Sequence, residues 1–156
     1  MKRITLKKPK EQGSIKKFPQ NLEESTSCYN LTGCLAVSFA HLTNSNDHNY
    51  EYFGSDKTNE LKSRKDLVKL LEEITSNNWV VLGQRNKYQK GGFEKMSWSD
   101  FSGFSAKNIT IPADQNIYVF RFNQQNDRVF GFKNSKCCTF HIIGFDFNFS
   151  AYDHGN

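Results

Sequence analysis

The chain predicts an α+β fold in which an antiparallel meander sheet packs on one main helix. Three observations carry that prediction. One long stretch, Asn59 to Asn78, spaces its apolar residues three and four apart; aromatic-rich runs between Asn116 and Phe147 alternate in the manner of strands; and polar turns separate those runs. A chain of 156 residues is long enough for a single domain that buries about two thirds of its unfolded surface. Its 14 Phe predict a core built from phenylalanine rather than from Leu or Val.

Residues 1–27 are Lys-rich, then polar with Pro9 and Pro19, and read as a flexible basic arm ahead of one α+β domain over 28–156. Cys34 to Leu42 alternates enough for a first strand, with Leu35, Val37 and Phe39 on one face, and Asn44 to Asn49 follows as a polar loop. In the helical stretch, Leu61, Leu67, Val68, Leu70, Leu71 and Ile74 form the apolar stripe. A cap is expected near Ser63 and a stop at Asn77 and Asn78. Trp79 to Leu82 fits either a strand or a short helical turn. Gly91 and Gly92 break the chain before a segment in which Ser97 or Ser99 suits a helix cap. Three strands close the order: Asn116 to Phe122, Arg128 to Lys133 and Thr139 to Phe147.

The register of those strands decides which polar side chains meet, because facing alternates with period two. Pairing Phe122 with Arg128 puts Tyr118, Phe120, Phe122, Phe130 and Phe132 on the core face. Pairing Lys133 with Thr139 then adds Phe140 and Ile142 to that face and sets His141 beside Gly131. On this register Arg121, Lys133 and His141 converge on an open face, around a glycine that leaves room. Such a cationic, proton-donating concavity suits a phosphodiester. Arg128 falls at the hairpin turn, where an arginine more often solubilises the hairpin end than binds a ligand, and Tyr152, Asp153 and His154 form a tail that either folds back over the open face or stays in solvent.

Charge and cysteines narrow the function classes. Lys2, Arg3, Lys7, Lys8, Lys10, Lys16 and Lys17 against Glu11 give residues 1–20 a charge of +6 within a formal total of +5, so residues 21–156 carry −1. The basicity belongs to the arm, which is expected to hold phosphates in a salt-dependent way or simply to solubilise. No apolar run resembles a secretory leader or a membrane span, so a cytoplasmic protein with no membrane partner is expected. Cys28, Cys34, Cys137 and Cys138 lack metal-finger spacing and read as free thiols. His141, Asp146, Asp153 and His154 are the donors available for a divalent ion, without a compact ligand motif and with Asp146 opposite His141 on a regular strand. No metal or other cofactor is expected.

The arginine in YVFRF (Arg121), the arginine opening RVFGF (Arg128), the apolar strand FHIIGF and the terminal Tyr152 to His154 resemble the RelE/ParE superfamily of bacterial toxins, notably the YoeB-like and HigB-like mRNA interferases. Helix followed by antiparallel strands fits the same family. The resemblance covers the C-terminal third; the near-neutral body and the N-terminal half depart from it. It implies a metal-independent endoribonuclease that helps a 2'-hydroxyl attack the neighbouring phosphate, which needs a base, cations on the developing charge and an acid for the 5'-oxygen. By resemblance, Arg121 and Arg128 hold phosphate, His154 or His141 trades protons, and Glu94 is a candidate base; the register adds Lys133, and the tail adds Tyr152, as substrate-binding candidates. RNA or a ribosome would be the target, and an antitoxin the neutralising partner, with Phe149 a candidate contact. The rival expectation is a non-catalytic binding or inhibitory protein, of the kind a mobile element in an AT-rich genome carries, that sequesters a protein or nucleic acid.

Overall fold

The computed structural model describes residues 33–54, 57–133 and 138–153; the expectations for the N-terminal arm, Cys28, Cys137 and His154 lie outside these residues. Its elements are β1 (Ala36–Ser38), α1 (Lys57–Thr75), α2 (Trp79–Gly83), β2 (Phe93–Ser97), β3 (Asn116–Phe122), β4 (Asp127–Phe132) and β5 (Thr139–Asp146). The strands form one sheet in the order β1-β5-β4-β3-β2. β2 to β5 make an antiparallel meander, and β1 lies parallel to β5, which corrects the purely antiparallel expectation to a mixed sheet. Parallel neighbours need a long connection, and the chain from β1 to β5 supplies one.

α1 packs Leu67, Leu70 and Ile74 onto the sheet, while Leu61 and Val68 of the expected stripe turn outward at 62% and 64% exposure. Ser63 does not cap this helix. It is buried within it and donates to Asp127 Oδ2 at 2.5 Å, pinning the helix to the start of β4. The helix stops at Thr75, just short of the expected Asn77 and Asn78, and the Asn78 side chain instead accepts from Val81 N at 2.9 Å to open α2, so Trp79 to Leu82 is helical. β2 was not expected. As an edge strand it is half-buried on both faces, so its sequence lacks the apolar alternation that betrays a strand. Ser97 caps the short turn Trp98–Asp100 through a reciprocal pair with Asp100.

Both faces of the sheet are covered. On the helix face, Trp79 sits among Phe93, Tyr118, Phe120 and Phe140, its Nε1 donating to Cys138 O at 2.9 Å. On the other face, Ile117, Val119, Phe130 and Ile143 lie beneath Phe101, Phe104, Ile111, Ala151 and Tyr152. The open face expected from the sequence is thus closed by the segment before β3 and by the C-terminal tail, which bridges Phe101 to Tyr152. Phe120, Phe130, Phe140 and Phe145 are fully buried, each stabilising the fold by roughly 1.5–3 kcal/mol. Leu35 and Val37 join the helix-side core as expected, but Phe39 points to solvent.

The register differs by one residue from the expected one. Phe122 pairs with Asp127 and Arg121 with Arg128, while Phe132 rather than Gly131 stands opposite His141. Phe130 and Phe132 therefore face away from the helix, beside Val119 and Ile117. A bulge between Phe130 and Gly131 makes Ile143 an extra residue in β5 and reverses the facing of everything after it. Phe145 turns to the helix face, and Asp146 pairs with Arg128 on the same face as His141, not opposite it as a regular strand would require.

Candidate functional site

The slip in register takes the expected cluster apart and assembles another. Glu94 on β2, Arg121 on β3, Arg128 on β4 and Tyr152 on the tail meet at one end of the face away from α1. Arg121 Nη2 donates to Glu94 Oε1 at 2.9 Å, and Lys87 Nζ holds Glu94 Oε2 at 2.8 Å. The Tyr152 hydroxyl points to the same Glu94 Oε1 from 3.5 Å and lies within reach of the Arg128 guanidinium.

Arg121 and Arg128 stand directly opposite each other across β3 and β4, an arrangement that costs energy for like charges. Arg128 is not a solubilising turn residue, because β4 begins at Asp127 and the Arg128 side chain is buried at 5% exposure. It donates to Gln125 O at 3.2 Å and Asn126 O at 2.9 Å, and Phe149 roofs it at 4.4 Å. The Nε atoms of both arginines are buried and find no hydrogen-bond partner among the described residues. A guanidinium cannot shed its proton, so two N–H donors remain without acceptors at the charged end of the face. Buried donors without acceptors each cost about 1–3 kcal/mol.

Proton affinities divide the roles. Burial pushes the Glu94 carboxyl up, but hydrogen bonds from Lys87 and Arg121 outweigh it and hold the group below its ordinary value, so it is ionised at neutral pH. Burial, then the neighbouring Glu94 charge, pushes the Tyr152 phenol up to about 12, so it keeps its proton. One end of the face therefore joins an ionised carboxylate, a protonated phenol and three cations, a set able to accept a proton, donate one and neutralise a phosphate.

His141 and Lys133 belong to neither this cluster nor each other. His141 lies at the opposite end of the same face, stacked on Phe132 at 5.0 Å and beside His41 at 5.4 Å. Burial, then His41, lowers its pKa. Four or five residues of strand and two strand spacings separate it from Arg121, roughly 15 Å, too far to share a substrate atom. Lys133 lies on the helix face, its Nζ 5.0 Å from the Trp79 ring of α2, with its pKa lowered by burial and by Lys95. Gly131 leaves no room for a ligand either, since an added Cβ would run into the His141 carbonyl and the Phe140 ring. Among the described residues no three His, Cys, Asp or Glu side chains are grouped to hold a metal ion. No helix among them is long and apolar enough to cross a membrane, and Cys34 and Cys138 are free thiols.

Lys87 and Tyr88 are the members that sequence reasoning missed. Arg121 lies 5.1 Å over the Tyr88 ring, and the signal in KYQKGG, an aromatic between lysines just before a double glycine, was legible but unspecific. Set against protein-family models, curated proteins and solved structures, the chain matches none of them.

Proposed function

We propose that this chain is a metal-independent endoribonuclease of the toxin type, acting at the Glu94–Arg121–Tyr152 end of the sheet. The observation that carries the reading is the cross-strand arginine pair with its two orphaned Nε donors, set beside an ionised carboxylate and a protonated phenol. In the reaction, Glu94 takes the proton from a ribose 2'-hydroxyl as that oxygen bonds to phosphorus. The bond from phosphorus to the 5'-oxygen breaks, and Tyr152 gives the departing oxygen its proton, leaving a 2',3'-cyclic phosphate and a 5'-hydroxyl. Arg121 and Lys87 neutralise the charge on the pentavalent phosphorus, and Arg128, under Phe149, holds the Tyr152 hydroxyl in place. The histidines assigned by resemblance are replaced in this scheme, His141 by distance.

One observation favours the rival reading of a non-catalytic anion-binding protein: Lys87 and Arg121 both grip Glu94, which makes it a weak base. The two readings separate on RNA incubated with the full chain, alone and with ribosomes, with cleaved ends mapped. The enzyme reading requires 2',3'-cyclic ends that disappear in Glu94→Gln and Arg121→Ala. Retained binding with no cleaved ends in the wild type overturns it in favour of binding alone.

A further inference from the structure

A cavity of about 320 Å³ opens beside Arg121, between α1, the loop carrying Tyr88 and the β3–β4 hairpin tip, and the chemistry above makes no use of it. Its size is at the lower end of the roughly 300–1,000 Å³ usual for ligand sites. Tyr88 stands in its wall at 59% exposure on a loop that is firmly braced. Tyr88 N donates to Asn86 Oδ1 at 3.0 Å, Gln125 Nε2 donates to Tyr88 O at 3.0 Å, and Arg85 Nη1 donates to Lys90 O at 2.8 Å. An aromatic ring kept in solvent on an ordered loop loses little freedom when something stacks on it. Asn123, Gln124 and Gln125 line the cavity with the backbone at φ 49°, 54° and 74°. Asn123 Nδ2 donates to Asp127 Oδ2 at 2.8 Å and Gln125 Nε2 holds Tyr88 O, so the Gln124 amide is the one placed to donate and accept at once, as the edge of a base demands. Arg121 belongs both to this wall and to the Glu94 cluster.

We propose that this cavity is a base-binding subsite that takes the nucleobase of the nucleotide whose phosphate lies at Arg121, with Tyr88 stacking on the base and the Gln124 amide reading its edge. The inference rests on the phosphodiester reading of the neighbouring cluster. It gives the protein a nucleotide preference that the cluster alone cannot supply, since phosphate contacts carry no sequence information.

The test is calorimetric titration of the full chain with the four ribonucleoside 3'-monophosphates and with inorganic phosphate. Nucleotides are expected to bind more tightly than phosphate and unequally among the four bases. Tyr88→Ala should lower the ratio of nucleotide to phosphate affinity by about tenfold. Gln124→Gly, which keeps the left-handed backbone, should alter the order of preference. Nucleotides binding no better than phosphate, or a nucleotide-to-phosphate ratio that survives Tyr88→Ala, overturns the subsite. The two failures are distinguishable: Arg121-dependent cleavage without a Tyr88-dependent base effect removes the subsite and leaves the enzyme, whereas a Tyr88-dependent base effect without cleavage does the reverse.

Discussion

The two ends of the sheet face away from α1 carry the same kinds of side chain flagged by the sequence, yet they are built on different physics. At one end Glu94, Arg121, Arg128 and Tyr152 form a charged network with buried guanidinium donors left over. At the other, His141 is sandwiched by ring contacts to Phe132 and His41. His141 Nδ1 also lacks a hydrogen-bond partner, but a neutral imidazole nitrogen can sit there as a bare acceptor, whereas a guanidinium N–H has no such escape. The comparison teaches that residue type is a poor guide to chemistry. What separates a site from a packed core is whether charge has been gathered beyond what its neighbours satisfy.

Substitutions at the two ends should sharpen that difference. The largest effect is expected from Arg128→Ala, which leaves buried Asp127 and Asp146 without their neighbouring cation. A loss of about 3–5 kcal/mol in denaturant unfolding is expected, and a loss below 1 kcal/mol would mean that the charged end does not depend on this arginine. Next, Arg121→Ala should lower RNA cleavage by about 100-fold or more, near 3 kcal/mol of transition-state stabilisation. His141→Gln should leave cleavage within about twofold, since the ring end takes no part; equal losses at both positions would erase the distinction.

A somewhat smaller effect concerns alkali. Tyr152 has its folded-state pKa raised from 10.0 to about 12, so the folded state binds the proton more tightly. Its contribution is fully present below pH 10 and is lost as pH rises from 10 to 12, which amounts to about 2–3 kcal/mol over the window. Tyr152→Phe should flatten that part of the stability profile, and an unchanged slope would place the phenol outside the network. The smallest effect belongs to His141, whose pKa is lowered from 6.5 in the folded state. Its contribution is complete above pH 6.5 and is lost as pH falls below it, so His141→Phe should soften the acid limb of thermal unfolding, and an identical limb in both proteins counts against the packed neutral ring.

The last three strands were legible to within a residue at each end because Phe and Val alternate there against polar turns. The face assignments were not, because they hang on a single turn. Asn123, Gln124 and Gln125 take three successive left-handed conformations without a glycine to announce them, and that tip pairs Phe122 with Asp127 instead of Arg128. That one step moves Phe130 and Phe132 to the other side and separates Lys133 from Arg121. Glu94, Arg121, Arg128 and Tyr152 were named from sequence by resemblance, but what brings Glu94 to the site is an edge strand whose pattern is silent. The buried Ser63 shows the same limit, since a serine in a helix gives no sign that its partner is an aspartate on a distant strand.

The bulge at Ile143 acts as a phase shifter within β5. Upstream of it the strand is in step with the ring-stacking end, and downstream it is half a period out, which lets Phe145 serve the helix side while Asp146 stands opposite Arg128. The two ends of one strand can thus diverge in sequence without constraining each other. Regular pairing through Ile143, with no bulge, would instead exchange Phe145 and Asp146 between layers, placing a carboxylate in the aromatic core and a phenyl ring opposite Arg128.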